Sequence, residues 1–188
     1  MRWFRTPRGT TTNRFPPGSC RVTGRCSTKS TTSSARPRDL VAVPVGVGSL
    51  AEAVVRHYRA VSRQGGTQPS VLSVEPDTAA CVLASLTAGR PTTVPTATTV
   101  MAGLNCGTVS SSAWPVLSAG CDAAVAVSDE VALRAVADLD RLGISSGPSG
   151  AAALAGVRAA LISPARRGAL DIDDDAVVVL LNTEGNTR

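Results

Sequence analysis

The sequence predicts an α/β fold: an open, mostly parallel sheet flanked by helices, preceded by a tail of different character. Three observations carry this. Short valine-rich apolar runs recur at residues 40–45, 71–74, 123–127 and 176–181, each brief enough for a buried strand. Stretches with apolar residues at three- and four-residue spacing fall between them. Strands that alternate with amphipathic helices imply a parallel sheet covered on both faces.

The tail, residues 1–39, is set apart by composition. Up to Arg38 it holds eight arginines and Lys29 and no acid, in a background of Thr, Ser and Pro without periodicity. Such a segment buries too little apolar surface to offset its ordering entropy and is expected to be disordered. It also has the composition of an organellar transit peptide. A third reading is a frameshift product, since an upstream reading-frame error in a GC-rich gene yields this mixture. The ordered domain is then residues 40–188.

The tail also accounts for the formal net charge of +5. From Asp39 onward ten arginines face fourteen acids, a net charge of −4. A domain with no basic face and no interleaved aromatics excludes a nucleic-acid partner. No apolar run approaches the roughly 18 residues of a membrane span, and residues 1–18 lack the apolar stretch of a secretory signal. The five cysteines are odd in number and contain no CxxC pair, as expected for thiols in a reducing cytoplasm.

From residue 40 the elements follow in order. Residues 40–45 form a strand, broken by Gly46-Val47-Gly48-Ser49, which opens a helix. That helix turns Leu50, Val54, Tyr58 and Val61 to one face and Glu52, Arg56, Arg59 and Arg63 away, and it stops at Gln64-Gly65-Gly66. A strand at 71–74 leads, after Pro76-Asp77, to a helix running to Gly89. Residues 90–112 are Thr/Pro/Gly-rich, with a short helix near 100–104, and another short helix covers 114–119. After the strand at 123–127, Ser128 caps a helix with the stripe Val131, Ala135, Leu139 and Leu142, closed by Gly143. A further helix starts at Ser149-Gly150, and an acidic turn at 171–175 precedes the last strand.

Two places stand out chemically. PVGVGS, residues 44–49, is a strand ending in glycines that open a helix. Backbone N–H groups converge there at the positive end of the helix dipole, which makes an anion site or simply a tight turn. Ala51 stands where a dinucleotide fingerprint needs its third glycine, and the P-loop pattern is absent. The second place is NTEGNT, residues 182–187, where Thr183, Glu184 and Gly185 follow a buried strand. Open α/β sheets put ligands at such carboxyl ends, although a polar turn would look the same.

The order of the landmarks is more specific than any of them. GVGS, VEPDTA (74–79), TVMAGLNCG (99–107), Ala113-Trp114 with Leu117, SGPSGAAALAG (146–156) and VVVLLNTEGNT (177–187) together resemble the C-terminal portion of the diaminopropionate ammonia-lyases. Those belong to the fold type II pyridoxal-phosphate enzymes, so residues 40–188 are expected to be part of such a domain. The resemblance implies a lyase that takes a small amino acid, 2,3-diaminopropionate, to pyruvate and ammonia. It also implies pyridoxal 5'-phosphate as cofactor and a homodimer for the intact family. Gly46, Val47, Gly48 and Ser49 would hold the cofactor phosphate, and Thr183, with Glu184 and Gly185 beside it, would lie near the pyridine nitrogen. Glu75-Pro76 would line the sheet edge for structure. At Pro148 the sequence departs from members that carry an acid.

The resemblance also exposes a gap. The family's cofactor lysine, the loop for the substrate carboxylate and the acids for the second amino group all precede the phosphate loop. The single lysine here, Lys29, lies outside any matching motif. No catalytic residue is therefore assigned, and the chain is expected to be a truncated lyase, inactive alone. The alternative is a non-catalytic PLP- or amino-acid-binding half that needs a partner chain. No metal site is expected: the lone His57 has no triad partners at motif spacing, Asp171–Asp175 lacks EF-hand spacing, and Cys81, Cys106 and Cys121 have no nearby histidine.

Overall fold

The computed structural model describes residues 2–5, 39–63 and 68–185, without the side chains of residues 62 and 63. Among the described residues, five strands form one sheet in the order β1-β4-β3-β2-β5. They are β1 (Arg2–Arg5), β2 (Leu40–Pro44), β3 (Ser70–Pro76), β4 (Ala123–Val127) and β5 (Val178–Leu180). β2 pairs in parallel with β3, Leu40 opposite Ser70, and with β5, Leu40 opposite Val178. β3 pairs in parallel with β4, Leu72 opposite Ala123, and β1 runs antiparallel to β4. The sheet is thus mixed and mostly parallel, as the alternation of elements predicts.

Helices cover it on both sides: α1 (Ser49–Arg63), α2 (Cys81–Ala88), α3 (Trp114–Gly120), α4 (Asp129–Arg141), α5 (Pro148–Leu161) and α6 (Pro164–Leu170). Successive strand residues point to opposite faces, and in β2, β3 and β4 both faces are buried. β5, expected as a buried strand over residues 176–181, is a three-residue strand only half-buried beside β2. Leu40, Ala42, Leu72, Val74 and Val125 pack under α4, α5 and α6. Val41, Val43, Val71, Ala124 and Ala126 pack under α1, α2 and α3. This double coverage explains why the three central strands read as apolar runs. α5 lies close on the sheet because Gly156 has no side chain: a Cβ there would come within 2.3 Å of Val74 Cγ2.

Several expectations are corrected. The tail is expected to lack order throughout, yet Arg2–Arg5 forms an edge strand beside β4. Its Trp3 and Phe4 join opposite cores, and the Arg166 guanidinium sits 5.5 Å from the Trp3 ring centroid. The rest of the tail, residues 6–38, lies outside the described residues, as do residues 64–67. On α1, Glu52 and Arg59 are buried rather than turned to solvent. Arg59 reaches the Pro69 carbonyl at 3.0 Å, the Gly120 carbonyl at 2.6 Å and the Asp122 carboxylate at 2.5 Å. α4 ends at Arg141, so Leu142 leaves the expected stripe and is 73% exposed. Ser128 is the N-cap residue of α4, but its side chain makes no capping bond. α6 has no counterpart in the sequence reading.

Among the described residues no helix is long and apolar enough to cross a membrane.

Candidate functional site

β2 is the point where the chain's progress across the sheet reverses. It leads through α1 to β3 on one side, while β5 joins it from the other. Helices on opposite faces leave a crevice at the carboxyl ends of such strands, and ligands of open α/β sheets bind there.

The crevice is built by short segments. Val45 continues β2, its N–H donating to the Val74 carbonyl at 2.8 Å. The chain then turns at Gly46–Gly48 into α1. Gly48 has φ +102°, a conformation that L side chains rarely adopt, and a Cβ there would lie 2.9 Å from Leu117 Cδ1. A Cβ on Gly46 would lie 3.1 Å from the Gly103 carbonyl oxygen. A side chain at Gly48 would therefore be strained and press into the core under α3, and one at Gly46 would crowd the pocket residues Gly103 and Leu104. The 15-residue α1 starts here, with its positive dipole end at the loop.

A pocket of about 190 Å³ results, lined by residues 44–51, Gly103, Leu104 and Thr183. Five of the seven residues singled out in the sequence therefore meet: Gly46, Val47, Gly48, Ser49 and Thr183. Glu184 and Gly185 lie outside this lining. Alternate residues of an extended segment face opposite ways, and Glu184 directs its carboxylate to the amides of Ser149 at 2.8 Å and Gly150 at 3.4 Å. A Cβ on Gly185 would lie 4.0 Å from Ser145 Oγ. Gly103 and Leu104, in the short 3₁₀ turn Ala102–Leu104, are site residues that the sequence reading misses. Their motif, MAGLNCG, is the signal that could have found them.

Behind the loop lies a buried carboxyl. Glu75 is wholly inaccessible and accepts the amides of Val82 and Leu83, each at 2.7 Å, at the start of α2. Burial pushes its pKa up from 4.5 to about 8, against the lowering effect of those hydrogen bonds. Neighbouring Cys81 points its thiol at the Gly46 carbonyl, 3.7 Å away. Burial, then the charge of Glu75, pushes that thiol up to about 12, so it is an inert packing group. Cys121 is buried likewise, with its thiol pushed up to about 11. His57 packs edge-on against Tyr58. Among the described residues no three metal-ligating side chains cluster.

A glycine-opened helix at the switch point of a mostly parallel sheet is the geometry in which open α/β proteins bind phosphate-bearing ligands. The family pattern described as "Pyridoxal-phosphate dependent enzyme" matches residues 29–184, and the chain belongs to that family. The match begins upstream of residue 40, the boundary read from the sequence. No curated protein matches the chain.

Solved structures do. The diaminopropionate ammonia lyase of Escherichia coli, in complex with D-serine, is 27% identical with a TM-score of 0.71, over 85% of this chain and 41% of that one. The threonine deaminase of T.th. is 29% identical with a TM-score of 0.65, over 79% of this chain and 49% of that one. The serine racemase of Dictyostelium discoideum is 23% identical with a TM-score of 0.68, over 88% and 49%, and shows the fold alone. The chain spans less than half the length of each of these three structures.

The cofactor that the family implies is pyridoxal phosphate. The close approach of Gly46 to Gly103 and Leu104, which a Cβ would crowd, and the α1 N-terminus beside it fit its phosphate end. Lys29, the single lysine in the sequence, lies outside the described residues.

Proposed function

We propose that this chain forms the phosphate-holding part of a pyridoxal-phosphate-dependent ammonia-lyase acting on a small amino acid, with 2,3-diaminopropionate as substrate. The observation that carries this is the convergence of residues 46–49 and Thr183 on one pocket at the sheet's switch point. Support for the substrate is the ordered set of motifs, together with 27% identity to the E. coli diaminopropionate enzyme. A working homodimer in the cytoplasm is part of the same reading.

When bound, the cofactor supplies an electron sink for charge developing at the substrate α-carbon. The chain's own residues bind and orient. Backbone amides of residues 46–49 and the dipole of α1 hold the phosphate. Thr183, on the β5 side of the pocket, would hold the ring nitrogen through its hydroxyl. Being neutral, that hydroxyl would leave the nitrogen largely unprotonated, which suits elimination.

A second reading rests on the lysine count. A lysine normally anchors this cofactor and moves the α-proton, and Lys29 is the sole candidate. On that reading the chain alone binds the cofactor without turnover, and a partner chain that supplies the lysine completes the site.

Titration of the purified chain with pyridoxal phosphate tests both. Saturable binding that inorganic phosphate displaces is expected, with no borohydride-fixed adduct and no pyruvate from 2,3-diaminopropionate. Binding indifferent to phosphate sinks the site. An adduct on Lys29 accompanied by pyruvate release sinks the incomplete-site reading. Once a lysine-bearing part is supplied, 2,3-diaminopropionate should outpace serine and threonine; the reverse order rejects the substrate.

A further inference from the structure

Thr183 stands between two residues that turn away from the pocket toward the start of α5. Asn182 Oδ1 accepts the Ser146 hydroxyl at 2.9 Å, and its Nδ2 donates to the Ser145 carbonyl at 3.0 Å. Glu184 Oε2 accepts the amides of Ser149 and Gly150, and the Glu184 carbonyl accepts the Gly147 amide at 3.0 Å. The two segments are closely fitted: a Cβ on Gly147 would come within 2.6 Å of Glu184 Cδ, and one on Gly150 within 2.2 Å of Asn182 Oδ1.

α5 has Gly147 at its N-cap and makes no side-chain cap bond there. Its first-turn amides are held instead by Glu184, 35 residues along the chain from Ser149. Ser149 is buried, and its hydroxyl accepts the Gly103 amide at 3.3 Å. Gly103 in turn lines the pocket and backs Gly46. A continuous line of contacts therefore runs from Glu184 through Ser149 and Gly103 to the glycine loop.

We propose that Glu184 is a positioning residue: by holding the first turn of α5 it seats Ser149 against Gly103 and fixes the pocket wall facing residues 46–49. Its carboxylate acts on the cofactor site through Ser149 and does not touch the ligand. The effect on ligand binding rests on the pyridoxal-phosphate reading above; the effect on the wall does not.

Residue-resolved amide exchange of the unliganded chain, by NMR, tests the wall. Glu184→Ala should speed exchange at Ser149 and also at Gly103, which has no bond to Glu184, by about tenfold. The Val71 amide, held by Asp122 at 2.7 Å, should keep its rate. Glu184→Gln retains one oxygen for the Ser149 amide and should bring Gly103 back to within about threefold of wild type. In a pyridoxal phosphate titration, Glu184→Ala and Ser149→Ala should each raise Kd by about tenfold, and the double variant no further.

An unchanged Gly103 in folded Glu184→Ala overturns the proposal, as does equal acceleration at Val71 or additive losses in the double variant. A wild-type chain that fails to bind pyridoxal phosphate while Gly103 still responds sinks the cofactor reading and keeps the positioning role. Wild-type binding with a silent Gly103 does the reverse.

Discussion

Glu75, at the end of β3 and wholly out of solvent, accepts the Val82 amide at 2.7 Å and so closes the N-terminus of α2. Burial lifts its pKa from 4.5 to about 8. A carboxyl whose folded pKa is raised takes up a proton on folding between these values. Its contribution to stability is full below pH about 4.5, declines as pH rises, and is gone above about 8. Glu75→Gln removes this titration and turns an amide donor toward a backbone N–H, at a cost of about 1–3 kcal/mol. Urea midpoints measured from pH 5 to 8.5 should show wild type losing its advantage over the variant. An advantage that grows with pH would reject the assignment.

Arg59 ties α1 to the turns before β3 and β4 through two carbonyls and Asp122. With side chains only 10% and 20% exposed, the Arg59–Asp122 pair is shielded from solvent screening. Arg59→Ala should lower unfolding free energy by about 3 kcal/mol in chemical denaturation. Arg59→Lys should recover only part of this, since an ammonium cannot span three acceptors with a planar fork. Full recovery by lysine would show that charge alone matters there.

Gly48→Ala places a methyl group 2.9 Å from Leu117 Cδ1 at a φ of +102°. Strain of this kind costs about 1–3 kcal/mol. A lower melting temperature should accompany a pyridoxal phosphate Kd raised by about tenfold or more, because the loop that bends is the loop that binds. Wild-type affinity in the variant would separate this loop from the ligand.

Gly156→Ala sets two effects against each other. Alanine favours the helix over glycine by about 1 kcal/mol. The new Cβ, however, meets Val74 Cγ2 at 2.3 Å and Val74 Cβ at 3.1 Å, and overpacking of this order costs about 1–3 kcal/mol. Because a whole β-branched side chain blocks the site, net destabilisation is expected. Val74→Ala in the same molecule should reverse part of it. A stabilised single variant would mean that α5 lifts from the sheet at little cost.

The elements that read correctly from the sequence are those whose signal is local. β2 and β4 are valine- and alanine-rich runs, and α1 carries its apolar stripe in plain view. β1 was hidden because Arg-Trp-Phe-Arg reads as a charged scrap. Only beside the β4 edge do Trp3 and Phe4 find opposite cores to enter. The burial of Arg59 was hidden for a related reason: its acceptors, Pro69, Gly120 and Asp122, lie up to 63 residues away. Glu184 followed the same course. It reads as a ligand-facing polar residue after a strand, and its partner is the first turn of a helix far back in the chain.

By itself the sequence determined the alternation of strands and helices and the glycine-opened start of α1, because periodicity and φ > 0 residues act over a few positions. Only the tertiary structure decided that β5 lies beside β2, which brings Thr183 to residues 46–49 and turns two unremarkable segments into one pocket. Strand order depends on which apolar faces can be covered at once, and that is a property of the whole packed domain rather than of any local run.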